Sequence, residues 1–94
     1  MLFHITHTHA YETCMAHDDK AKTKFSDTIS RSKSLGIKVH GIYSDPPGHQ
    51  IFMILEADTM ELLVKFMNPI IDFGDYDVRP VLDFEDAIKS LNTN

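Results

Sequence analysis

Gln50–Ala57 reads QIFMILEA, apolar without a break from Ile51 to Leu55. A run of that kind needs cover on both faces, so it reads as a central strand rather than a half-exposed edge. Working outward, the stretch before it, SDPPGH over Ser44–His49, is a turn. Its two prolines and its glycine set the backbone and stop strand pairing. The partner on the far side of that turn is Ile37–Ser44, IKVHGIYS. On the C-terminal side, Asp58 or Thr59 caps a second helix, DTMELLVKFMN, with Met60, Leu63, Val64 and Met67 as its inward stripe and Pro69 as its stop. Ile70, Ile71 and Phe73 pack a connecting loop. Asp75–Leu82, DYDVRPVL, is a fourth strand at an edge or with an interrupted ladder, since Pro80 has no amide hydrogen to give. The tail FEDAIKSL is a short amphipathic helix offering Phe84, Ala87, Ile88 and Leu91 to some surface.

The N-terminal half follows the same logic. Leu2–Thr8 alternates as a strand does, with Phe3, Ile5, His7 and His9 on one side and Leu2, His4, Thr6 and Thr8 on the other. The side bearing Phe3 and Ile5 is the one expected to meet helices. After the loop AYETCMAH, His17 or Asp18 starts a helix expected to run to Leu35, where Gly36 caps it. Its inward stripe is Ala21, Phe25, Thr28 or Ile29, Ser32 and Leu35, while Lys20, Lys22, Lys24, Arg31 and Lys33 face water.

The order β α β β α β with a terminal helix is the split βαβ arrangement of an α+β, ferredoxin-like fold, in a single domain over residues 1–94. Right-handed crossovers put both long helices on one face of the sheet and leave the other face bare. A chain of 94 residues has a thin stability margin of its own. Packing two bare faces together is the expected remedy, which predicts a homodimer.

Composition narrows the function classes. Nine Lys and Arg against fourteen Asp and Glu leave a formal charge of -5, a poor match to nucleic acid. No apolar run reaches membrane-spanning length, and MLFHITH lacks the basic leader and continuous apolar core of a signal peptide. One cysteine rules out an intrachain disulfide, so a soluble, cytoplasmic protein is expected.

Two stretches carry a resemblance. The opening MLFH resembles the first strand of muconolactone isomerase-like proteins in the dimeric α/β-barrel superfamily. DYDVRPVLDFEDAI over residues 75–88 resembles the ending of a family of small uncharacterised proteins in the same superfamily. The resemblance implies a dimeric α/β barrel and, on the isomerase side, cofactor-free proton transfer on a small organic substrate, with His4 at the matching position as candidate base. The cluster HTHAYETC, residues 7–14, departs from that isomerase pattern.

That cluster is the candidate site. His7 and His9 are two apart on one strand, so their imidazoles leave the same face about 6.5 to 7 Å apart at their origins. Cys14 and His17 in the following loop complete a possible set of three nitrogens and one sulfur, which suits zinc, copper or iron better than magnesium or calcium. Glu12 is a further carboxylate ligand or an acceptor for an imidazole N–H. The plainer alternative is a strand end with solvated histidines and a half-buried thiol. Cys14 could also act as a nucleophile beside His9 or His17. His40 and Arg79 are candidates for a pocket, with Arg79 otherwise pairing Asp77 or Asp83, and His49 in the PPGH turn is expected to face solvent. Met53, Met60 and Met67 sit at core spacing, where methionine fills space. Three functions remain open: a metal or small-ligand protein acting through His7, His9, Cys14 and His17, a metal-free enzyme using His4, and a non-catalytic dimeric scaffold.

Overall fold

The structure, a computed structural model, describes residues 1–92. Its elements are β1 (Leu2–Thr8), α1 (Asp19–Ser30), β2 (Lys38–Asp45), β3 (Gln50–Glu56), α2 (Met60–Met67), β4 (Asp75–Val81) and α3 (Phe84–Leu91). Short 3-10 turns lie at Tyr11–Thr13, Met15–His17, Lys33–Leu35 and Asn68–Ile70. The four strands form one antiparallel sheet in the order β2-β3-β1-β4, the ferredoxin-like βαββαβ arrangement with a C-terminal helix. QIFMILEA is central, and the proline-bearing β4 is an edge strand, as its missing amide hydrogen requires.

The alternation along β1 sorts its side chains as the pattern dictates. Phe3, Ile5 and His7 are buried on the helix-covered face with Met53 and Leu55 of β3. Phe25 and Thr28 of α1 and Leu63, Phe66 and Met67 of α2 close over them. On the opposite face His4, Thr6, Phe52 and Ile54 are half-buried.

Local chemistry sets the helix ends. Asp18 caps α1 by accepting the Ala21 amide at 3.1 Å, and Thr59 caps α2 by accepting the Leu62 amide at 3.1 Å. α1 stops at Ser30, short of the expected Leu35. Ser30 and Ser34 hydroxyls donate back to the Ser26 and Arg31 carbonyls, the competition that makes serine a poor helix-interior residue. The chain then tightens into the 3-10 turn that Gly36 ends at φ 76°. In α2 the buried stripe is turned from the expected one. Phe66 lies fully inside, while Met60 and Val64 are exposed, because the large ring claims the face toward the sheet.

α3 leaves the body of the molecule. Phe84 and Leu91 are 76% and 79% exposed, and the overall extents are 53 × 29 × 17 Å. The radius of gyration, 14.8 Å, exceeds the roughly 12 Å of a compact chain of this length. Among the described residues no helix is long and apolar enough to cross a membrane.

Candidate metal centre

The site grows from the antiparallel register of β1 and β3. Leu2 pairs with Glu56 and Thr8 with Gln50, so the next step of the ladder sets His9 opposite His49. His9 donates its amide hydrogen to the His49 carbonyl at 3.1 Å, and the two rings meet nearly edge-on with centroids 5.3 Å apart. The hairpin tip holds its end of this pair. Asp45 accepts the Gly48 amide at 3.1 Å, and the His49 amide donates to the Pro46 carbonyl at 3.2 Å. His49 itself sits at φ 55°, a left-handed conformation that costs a side-chain-bearing residue about 1–2 kcal/mol.

Cys14 arrives from the other direction. It stands between the two 3-10 turns after β1, its amide donating to the Tyr11 carbonyl at 3.3 Å, and its thiol is half-buried. One donor atom from each of His9, Cys14 and His49 lies within 4.8 Å of the others. Tetrahedral zinc with Zn–N near 2.0 Å and Zn–S near 2.3 Å needs such donors about 3.3–3.6 Å apart. The three donors are near enough to one another that the group could hold a metal ion.

Burial makes these imidazoles ready ligands. His9 is 9% exposed, and neither of its ring nitrogens has a hydrogen-bond partner; the His49 Nδ1 is likewise buried without one. Burial pushes the pKa of His9 down, and the nearby His7 and His49 push it the same way. A neutral ring keeps its lone pair for a metal.

His7 is placed differently from its neighbour on the same face. It is 0% exposed, and its Nε2 donates to the Phe73 carbonyl at 3.1 Å. Its ring lies 5.1 Å from that of His9 and 4.8 Å from that of Tyr76. Burial holds its pKa down, outweighing the Phe73 hydrogen bond and the charge of Asp75. Tyr76 in turn donates to the Ile70 carbonyl at 2.6 Å, and burial raises its pKa. The rings of Tyr76, His7 and His9 thus form a tilted series that ends at His9, the buried member of the triplet.

The remaining candidates stand apart from the triplet. His17 is exposed at the end of its 3-10 turn, and Glu12 is exposed on the preceding one. His4 points to the opposite face of the sheet, between Ile54 and Arg79 in register. Arg79 pairs with Asp77 at 3.1 Å. His40 is the extra residue of a β-bulge in β2 and donates to Glu56 at 2.8 Å. That pair lines a cavity of about 940 Å³ with Leu2, Val81, Leu82 and Asp86.

His49 is the member that reading along the chain misses, since it is 35 positions from Cys14 and 40 from His9 in sequence, as the residue numbers give. A signal for it exists. Once β1 and β3 are taken as antiparallel neighbours, the histidine just before β3 must face the residue just after β1.

A family profile described as "Domain of unknown function (DUF3303)" matches residues 1–94, and the chain belongs to that family. No curated protein matches the sequence. Among solved structures, SCO4226 from Streptomyces coelicolor A3(2) is similar with a TM-score of 0.62 and 14% identity, covering 88% of this chain and 99% of that one; the likeness is one of fold. The MjSpt4:Spt5 complex, conformation A, aligns with a TM-score of 0.44 and 14% identity over 100% of this chain and 60% of that one.

Proposed function

We propose that this DUF3303 domain binds one transition-metal ion, zinc, copper or iron, through His9, Cys14 and His49, and works as a cytoplasmic homodimer. The observation that carries the reading is the buried His9 ring, both of whose nitrogens lack partners while a thiol and a second imidazole converge on it. An unsatisfied buried polar group costs about 1–3 kcal/mol, and a metal bond supplies the missing partner. The left-handed His49 adds support, because strained backbone gathers at functional sites.

Two imidazoles and a thiolate leave a fourth coordination position open, the pattern of reactive rather than purely structural zinc sites. A small ligand or substrate would bind there, polarised by the ion. In this reading His7 packs against the His9 ring and helps to position it, and His17 stays outside the ligand set. The homodimer is supported by the half-buried Phe52 and Ile54 on the open sheet face and by the exposed Phe84 and Leu91 of α3. A single thiol and the absence of disulfides favour a reducing compartment.

The test is elemental analysis of untagged protein, followed by zinc titration of the metal-free form. One equivalent per chain, lost in His9→Ala, supports the reading. Absence of uptake directs attention to His4, where a metal-free enzyme loses turnover on His4→Ala and a scaffold is indifferent to it.

A further inference from the structure

We propose that Cys14 is a peroxide-reactive thiol whose oxidation releases the ion from this site. The inference rests on the metal reading above and adds a chemical modification that controls it. The cysteine does not stand alone, since the nine-tenths-buried His9 with its unpartnered nitrogens lies within 4.8 Å of it, as does His49.

The three donors are held unequally. His9 and His49 are tied together by a backbone hydrogen bond at 3.1 Å, one step beyond the Thr8–Gln50 end of the β1–β3 ladder. Cys14 hangs between two single 3-10 turns, held locally through the Cys14 amide to the Tyr11 carbonyl and the Asp18 amide to the Met15 carbonyl. It is also half-buried, which leaves a route for a small oxidant, whereas His9 is enclosed. Sulfur is therefore both the most reactive donor of the three and the one whose loss disturbs the sheet least.

The reactant is a hydroperoxide, with hydrogen peroxide the simplest. A metal-bound cysteine is already a thiolate. A sulfur lone pair attacks one peroxide oxygen, an S–O bond forms and the O–O bond breaks. The attacked oxygen keeps its hydrogen, giving the sulfenic acid, and the other leaves as hydroxide. Sulfur loses two electrons and the peroxide gains them. The sulfenic acid is a poor ligand, and two imidazoles alone hold the ion more weakly. With one cysteine in the chain there is no internal thiol to consume the product. Two external thiols return Cys14 to its reduced state, releasing a disulfide and water.

The experiment uses zinc-loaded full-length protein, hydrogen peroxide and a chromophoric zinc chelator, with peptide mass mapping of Cys14 after a sulfenic-acid trap. We expect zinc release in step with trapped Cys14 and recovery of binding after thiol treatment. Cys14→His supplies a third imidazole in place of sulfur and is expected to keep its zinc through the same treatment. Zinc retained by protein whose Cys14 is oxidised overturns the proposal, and so does release while Cys14 stays reduced. Failure of the reduced protein to take up zinc before any peroxide is added overturns the metal reading, and this proposal with it.

Discussion

His9 and His49 face each other across the end of the sheet, joined by an amide-to-carbonyl hydrogen bond of 3.1 Å with ring centroids 5.3 Å apart. Their backbones continue the β1–β3 register by one step, and the hairpin tip holds His49 in place through its amide bond to the Pro46 carbonyl. Cys14 brings a sulfur within 4.8 Å of a nitrogen of each, a group that could hold a metal ion.

Substituting His49 is expected to weaken zinc binding by more than the roughly 10- to 100-fold that loss of a mere supporting partner costs. His17→Ala, on an exposed turn, and His4→Ala, on the far face of the sheet, are expected to change it by less than about twofold, well below that range. Competition titration against a chelator of known affinity measures all three. Equal losses for His17→Ala and His49→Ala would move the site away from the hairpin tip.

Stability of the metal-free protein is expected to fall on mild acidification. Burial holds His7 and His9 below the ordinary imidazole pKa of 6.5. As pH drops through that value the unfolded chain takes up protons that the folded chain refuses, so the unfolded state gains; above it both states are neutral and the full stability remains. The slope is limited to roughly 1.4 kcal/mol per pH unit for each histidine. Urea midpoints between about pH 8 and pH 5 report it. His9→Gln should flatten the curve by one histidine's share, and a wild-type curve with no downturn near pH 6 argues against neutral burial.

Gly74→Ala is expected to destabilise the fold by several kcal/mol. Gly74 has φ 152°, and an added Cβ would collide with the Thr8 carbonyl oxygen and approach the His7 Nε2 to 2.7 Å, with rigid backbone on one side and the packed ring on the other. Strain and overpacking each cost about 1–3 kcal/mol. The readout is the denaturant midpoint together with metal affinity, since the His7 ring packs against that of His9 with centroids 5.1 Å apart. An unchanged midpoint would show that this strand end has room to shift.

A charge on the open sheet face separates association from folding. Ile54 is half-buried there, in register with His4, so Ile54→Glu is expected to convert a dimer to a folded monomer. Sedimentation equilibrium gives the mass and circular dichroism the fold. A wild-type monomer at micromolar concentration removes the dimer reading outright.

Much of this architecture is written locally. The alternation of Phe3 and Ile5 with Leu2 and His4 names the core face of β1, the unbroken apolar run of 51–55 puts β3 at the centre, and Pro80 puts β4 at an edge. Asp18, Thr59 and Gly36 mark the element ends at which they act. Each of these follows from backbone chemistry or a short period, which neighbouring residues carry by themselves.

What only the tertiary structure decided lies between elements. The sequence pattern puts His7 and His9 on one face, yet packing gives them different surroundings: Phe73 claims the His7 Nε2, while His9 is left with both nitrogens free for a partner. Likewise, α2 turns Phe66 inward in place of Val64 because the sheet it meets chooses which side is buried. His49 enters through strand register, a pairing of residues 40 positions apart by their numbering that no local window contains. Composition supplied the histidines and the thiol; antiparallel pairing brought His9 to His49, and the two 3-10 turns after β1 brought Cys14 to both.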